Sequence, residues 1–230
     1  MGQEKRQYVN FAFYKLNPAW RFLSAQEREA GRQAFAAVVE EFAPRVMTVP
    51  YSMVGLRAEV DIMLWRISYS LEALQEMSVR LAETGLGKYL NTAYSYLAMT
   101  KRSTYVDRHT HEGQESKRLT IVPGESKYIF VYPFVKTRAW YRLPKTERQR
   151  MMDAHIAVGH QFPTVKINTS YSFGLDDAEF VLSFESDYPD DFLDLVMALR
   201  ETEGSPYTER DTPIFTGIRK NIKDLLGDLG

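Results

Sequence analysis

Cysteine is absent from the chain, which excludes disulfides, thiolate nucleophiles, iron–sulfur clusters and zinc ribbons. An excess of charge of either sign is also missing: 29 Lys and Arg stand against 30 Asp and Glu, for a formal net charge of -1. That balance argues against nucleic acid or an anionic membrane surface as the main partner, because both are met by a basic excess. No apolar run approaches the roughly 18 residues of a membrane span. The opening MGQEKRQYVN has no apolar stretch after its charges, so a cytoplasmic location without a secretory signal is expected. A P-loop, G-x-G-x-x-G, H-E-x-x-H and G-x-S-x-G are missing too. What the 230 residues do contain is 44% hydrophobic and 13% aromatic side chains, enough to build cores and too many for a disordered chain.

The chain also contains itself twice. Laying YVNFAFYKLNPAWRFLSAQER over YIFVYPFVKTRAWYRLPKTER pairs Tyr8 with Tyr128, Trp20 with Trp140, Leu23 with Leu143 and Arg28 with Arg148. The same register pairs Tyr51 and Ser52 with Tyr171 and Ser172, Arg80 with Arg200, and Glu83 with Glu203. A one-residue slip brings Gly55-Leu56 onto Gly174-Leu175. Each copy alternates as a strand (8–16, 127–135), then reads as a helix (24–42, 145–161) opened in the first copy by the capping box Ser24-x-x-Glu27. Two strands flank the Gly-Leu turn (46–54 and 60–67; 164–173 and 179–184). A second helix (70–82, 189–202) and a short last strand (93–99, 213–217) close the unit. The order β-α-β-β-α-β predicts an α+β fold of two ferredoxin-like units, forming a dimeric α+β barrel within one chain. The expected divisions are 1–100, a polar connecting segment at 101–126, and 127–230.

With four histidines and no cysteine, the metal chemistry open to the chain is a carboxylate–imidazole site or a haem. His109 and His111 lie with Asp107 and Glu112 in a polar stretch that reads as a solvated linker. His155 and His160, five apart on a helix, point about 140° away from each other and cannot share a metal. His155 shares a helical face with Met151, Met152 and Val158, and taken alone it reads as a core histidine. The repeat opens an alternative: its counterpart is Phe35, so an imidazole stands where the scaffold accepts a hydrophobe. Tyr141 likewise faces Arg21, Lys145 faces Ala25, and Ser205 faces Gly85. These contrasts point to a working site in the C-terminal half. Arg200 and Glu203 recur in both copies and read first as salt-bridge or capping residues, although a carboxylate at 203 is a candidate acceptor for the Nδ1–H of His155.

The segments YPFVKTRAWYRLPKTERQRMMDAH, NTSYSFGLDDAEFVLSFESD and LRETEGSPYTERDTPIFTGIR resemble the chlorite dismutase family. Within it they look most like its coproheme decarboxylase branch, in an actinobacterial-like form. The resemblance implies His155 as the proximal iron ligand, Glu203 as the acid hydrogen-bonded to it and Tyr141 as the radical-forming tyrosine. It implies Lys145, Arg200 and Ser205 as propionate binders. The position of the distal Arg of chlorite-degrading members is held here by Ile167, which donates no hydrogen bond. The implied activity is peroxide-dependent oxidative decarboxylation of iron-coproporphyrin III (coproheme) to haem b, within a homopentamer that contacts a ferrochelatase transiently. The alternative is a haem-binding protein with a peroxidase or sensor role and no decarboxylase activity.

Overall fold

The structure, a computed structural model, describes residues 5–103, 105 and 119–230; the stretch from Asp107 to Glu112, with His109 and His111, lies outside them. It forms two units, Met1–Met99 with Thr216–Gly230, and Thr100–Phe215. The first carries β1 (Tyr8–Leu16), α1 (Ala25–Phe42), β2 (Val46–Ser52), β3 (Ile62–Ser68), α2 (Leu71–Glu83) and β4 (Leu90–Met99). Strand β1 pairs antiparallel with both β3 and β4, and β2 flanks β3. The second carries β5 (Tyr128–Lys136), α3 (Arg138–Arg142), α4 (Lys145–Gly159), β6 (Lys166–Tyr171), β7 (Phe180–Ser186), α5 (Pro189–Arg200) and β8 (Thr208–Arg210). Here β5 pairs with β7 and β8, and β6 flanks β7. Both units are ferredoxin-like, and the fold class is α+β. The capping box forms as read: the Glu27 N–H donates to Ser24 Oγ (3.2 Å) and the Ser24 N–H to Glu27 Oε2 (2.9 Å).

The last fifteen residues depart from the expected division. The strand expected to close the second copy is β9 (Phe215–Arg219), and it pairs with β2 of the first unit at Tyr51 and Ser52. The second copy is closed instead by the short β8. Helix α6 (Ile222–Gly227) follows, and Leu225, Leu226 and Leu229 join the core beneath α1 and α2. Trp20 Nε1 donates to the Gly230 carbonyl (2.9 Å), while Asp228 accepts from Ser52 Oγ (2.6 Å) and Lys220 Nζ (2.6 Å). Three buried leucines and these polar ties stabilise the tail on the first unit, which no local pattern in the tail announces.

The hydrogen bonds also refine the repeat. Thr84 Oγ1 donates to the Leu81 carbonyl and Thr202 Oγ1 to that of Leu199. Tyr89 and Tyr207 pack against Trp20 and Trp140 at 5.6 Å in both copies. Two residues have therefore dropped from the second copy before the end of α5. Ser205 matches Gly87 rather than Gly85, and Arg200 matches Ala82 rather than Arg80. Arg200 is thus peculiar to the second copy, like His155.

Candidate functional site

The two units differ most in how their first long helix meets its sheet. Helix α1 buries six residues: Gly31, Phe35, Ala36, Val38, Val39 and Phe42. Helix α4 buries only Gln149 and Met151. The sequence explains the difference, since His155 and Gly159 stand where the first copy has Phe35 and Val39. Met152, His155 and Val158 are left half-buried on α4. A Cβ at Gly159 would lie 3.8 Å from Ile167 Cδ1, so Ile167, 46% exposed, faces the end of this helix from β6. The result is a thinly filled interface, or slot, between α4 and the sheet, with the half-buried His155 imidazole on its helix side.

Alternation along β5 puts Phe130, Tyr132, Phe134 and Lys136 on one face of that sheet. Phe130 stacks on Phe192 of α5 (3.9 Å) and Tyr132 on Phe184 (5.5 Å), so this is the face the helices cover. Lys136 ends the row. Its Nζ donates to the Gly204 carbonyl (3.1 Å) and lies over the rings of Trp140 (4.7 Å) and Phe134 (5.2 Å). Gly204 in turn abuts Met151 one turn before His155. Burial pushes the Lys136 ammonium down to about 8, and the Glu179 carboxylate offsets part of that fall. Burial, and then the Lys136 charge, push the His155 imidazole down to about 4. At neutral pH the ring is uncharged and keeps a lone pair free for a metal.

Of the other expected site residues, Arg200 and Ser205 stand near this end of the sheet. Arg200 is held by Asp211 (2.5 Å). The same two charges act on the phenol of Tyr132, which burial, and then Asp211, raise above the ordinary tyrosine range. Ser205 is half-buried and opens a short helical turn, Ser205–Tyr207. Lys145 is exposed at the start of α4, ten residues and about 15 Å along the helix from His155. Tyr141 donates its hydroxyl to Glu179 Oε2 at 2.5 Å, the oxygen that also accepts the Lys136 N–H (2.8 Å). The expected Glu203 contact with His155 is not made. Glu203 is exposed and takes a two-pronged bond from Arg150 (2.6 and 3.1 Å), because Arg150 on α4 offers it a planar cation that needs no burial.

A chlorite dismutase family profile matches residues 26–220. The chain belongs to the chlorite dismutase family. It is 34% identical over 183 residues to the coproheme decarboxylase of Mycolicibacterium smegmatis, covering 78% of this chain and 75% of that one. A chlorite dismutase variant from Candidatus Nitrospira defluvii superposes with a TM-score of 0.89 at 24% identity, over 98% of this chain and 96% of that one. A haem-binding protein from Thermus thermophilus superposes with a TM-score of 0.85 at 26% identity, over 96% and 95%. Among the described residues, no helix of this chlorite dismutase family member is long and apolar enough to cross a membrane. Nor do three or more His, Asp or Glu converge among them as a chelate. A single uncharged imidazole is a residue type that can ligate a haem iron.

Sequence reasoning passed over Lys136 and Glu179. Lys136 had a signal of the kind that found His155, since its counterpart in the first copy is the buried Leu16. Glu179 was hidden by drift in the repeat. Its backbone N–H bonds the Phe134 carbonyl as that of Asp61 bonds Tyr14, and its carboxylate accepts the Lys136 N–H (2.8 Å) as Asp61 accepts that of Leu16 (2.8 Å).

Proposed function

We propose that the slot between α4 and the sheet would hold an iron porphyrin through the His155 imidazole, and that the chain is a peroxide-dependent coproheme decarboxylase. The observation that carries this is the pairing of an under-filled helix–sheet interface with a neutral imidazole at its wall. When bound, coproheme supplies both the propionates to be cleaved and the oxidising power delivered by hydrogen peroxide. The chain's part is positioning and hydrogen transfer. Lys136, Arg200 and Ser205 orient carboxylates through hydrogen bonds, charge-assisted from the two cations. Arg200 leaves Asp211 for a propionate at no change in its own charge.

The slot favours Tyr132 over Tyr141 as the hydrogen-abstracting residue. Tyr132 stands on the slot face of β5, four residues before Lys136, with Arg200 and Asp211 nearby. Tyr132 would lose its phenolic hydrogen as one electron and one proton and take a hydrogen atom from the propionate carbon bonded to the pyrrole ring. Departure of CO2 with one further electron would then leave the vinyl group, both electrons passing to the oxidant supplied by hydrogen peroxide. Side-by-side turnover of Tyr132→Phe and Tyr141→Phe tests this. Both variants are expected to bind coproheme, and only Tyr132→Phe to lose vinyl formation. Full turnover by Tyr132→Phe would overturn the assignment. His155→Ala is expected to lose the ferric Soret complex while keeping its fold, as Phe35 shows the scaffold needs no ligand there. The alternative, a haem protein without decarboxylase activity, draws on Ile167, which offers a bound oxidant no hydrogen bond, and it predicts bleaching without vinyl products.

A further inference from the structure

We propose that Tyr141 and Glu179 form a proton-coupled redox pair, a second oxidisable tyrosine in which Glu179 takes the phenolic proton. The inference rests on the reading that the slot holds an iron porphyrin oxidised by peroxide. The Tyr141 hydroxyl lies 2.5 Å from Glu179 Oε2, and Glu179 is only 8% exposed. Phe173 packs edge-on to the Tyr141 ring at 6.2 Å. The charged or titratable neighbours are Arg138, 3.8 Å from Glu179 Oε1, the ammonium of Lys136, and Tyr105. Burial, and then the Glu179 carboxylate, hold the phenol above the ordinary tyrosine range. Such a phenol keeps its proton until it loses an electron, when its acidity rises steeply and a fixed base becomes useful.

The duplicated scaffold separates this contact from ordinary structure. In the first unit Asp61 makes the same backbone cap as Glu179 and spends its other oxygen on Lys15 (2.9 Å). In the second unit the acid is one methylene longer, and it reaches a tyrosine where the twin has Arg21. The cap needs an acid of either length, whereas the bond to the phenol belongs to the second copy alone. Trp140 precedes Tyr141, and its ring lies 4.7 Å from Lys136 Nζ, the cation felt by both Glu179 and His155.

The step balances simply. The Tyr141 O–H bond breaks, the proton forms a carboxylic O–H on Glu179, and the electron reduces the peroxide-oxidised porphyrin by one equivalent. A neutral tyrosyl radical and a neutral acid remain. The pair would draw off oxidising equivalents that the propionates do not consume, and so spare the porphyrin from bleaching.

The test places difluorotyrosine at position 141 and follows its ionisation by fluorine NMR in the haem-free protein. In Glu179→Gln and Glu179→Asp the half-ionisation pH is expected to fall by about one or more, since a like charge is removed or withdrawn. Glu179→Asp reproduces the Asp61 cap and so keeps the backbone arrangement. In coproheme-loaded Tyr132→Phe treated with peroxide, the remaining tyrosyl signal in electron paramagnetic resonance should drop about tenfold or more when Tyr141→Phe or either Glu179 substitution is added. It should persist in Tyr132→Phe alone. Identical titrations in parent and Glu179 variants, or a remaining radical unchanged when Tyr141→Phe is added, would overturn the pair. Failure of the parent protein to bind coproheme would count against the functional reading, and the fluorine titration would still decide the pair.

Discussion

Acid should destabilise this protein through His155 in a way that one substitution removes. The imidazole sits at about 4 in the folded chain, against an ordinary value of 6.5. A base held below its unfolded value is protonated first in the unfolded chain, so the unfolded state binds more protons and stability falls as pH falls. The loss begins near pH 6.5 and is complete below about 4. The full difference would correspond to about 3 kcal/mol, and partial exposure of the ring reduces it to about 2 kcal/mol at pH 4.5. His155→Phe restores the side chain that the first copy carries at Phe35 and has no such proton to bind. Urea unfolding of the haem-free protein at pH 7 and pH 4.5 should therefore show the parent losing about 2 kcal/mol more than the variant between the two. Proton NMR should show one of the four imidazoles uncharged until near pH 4, and that resonance should be missing from His155→Phe. Parallel losses of stability, or four imidazoles all titrating near 6.5, would refute the claim that burial and Lys136 keep this ring neutral.

Lys136→Leu, which copies Leu16, should raise the His155 value above about 4 yet leave it below 6.5, because burial is the larger cause; an unmoved NMR titration would contradict the contact. Leu226→Ala should cost about 2–5 kcal/mol, as Leu226 is 1% exposed in the core of the first unit. An unchanged unfolding midpoint would mean that the tail does not belong to that core. The coproheme- or haem-loaded protein should evolve negligible oxygen from chlorite, since Ile167 has no charge to offer and Lys166 is turned to the other face, 3.7 Å from Glu185. Sustained evolution at an oxygen electrode would mean that another residue supplies the missing cation.

The parts of the fold legible in the sequence were those set by local chemistry. The Ser24–Glu27 box fixed the start of α1, and alternation found β1 and β5 within a residue of their observed ends. The Gly-Leu turns fell where Gly55 and Gly174 adopt positive φ, which glycine permits without strain. What escaped was non-local. The strand read at 213–217 forms two residues later, at Phe215–Arg219, and nothing in it says that its partner is Tyr51 and Ser52 rather than β5. The same holds for the site. His155 was singled out because its twin is an apolar Phe35, and Lys136 contrasts equally with Leu16 but was not weighed. Glu203 was misplaced because an exposed carboxylate at a helix end takes whichever cation reaches it, and Arg150 does. Glu179 and the true counterpart of Ser205 were obscured by residues dropped between the copies, which only the backbone hydrogen bonds bring back into register.

The most direct test of the account is the mass of the porphyrin after stoichiometric hydrogen peroxide is added to the coproheme-loaded protein. The account predicts stepwise loss of two carboxyl groups, with a one-vinyl species appearing first and haem b accumulating at the end, and no conversion in Tyr132→Phe. Coproheme that is bleached without any vinyl product in the parent protein, while His155 still ligates the iron, would contradict it.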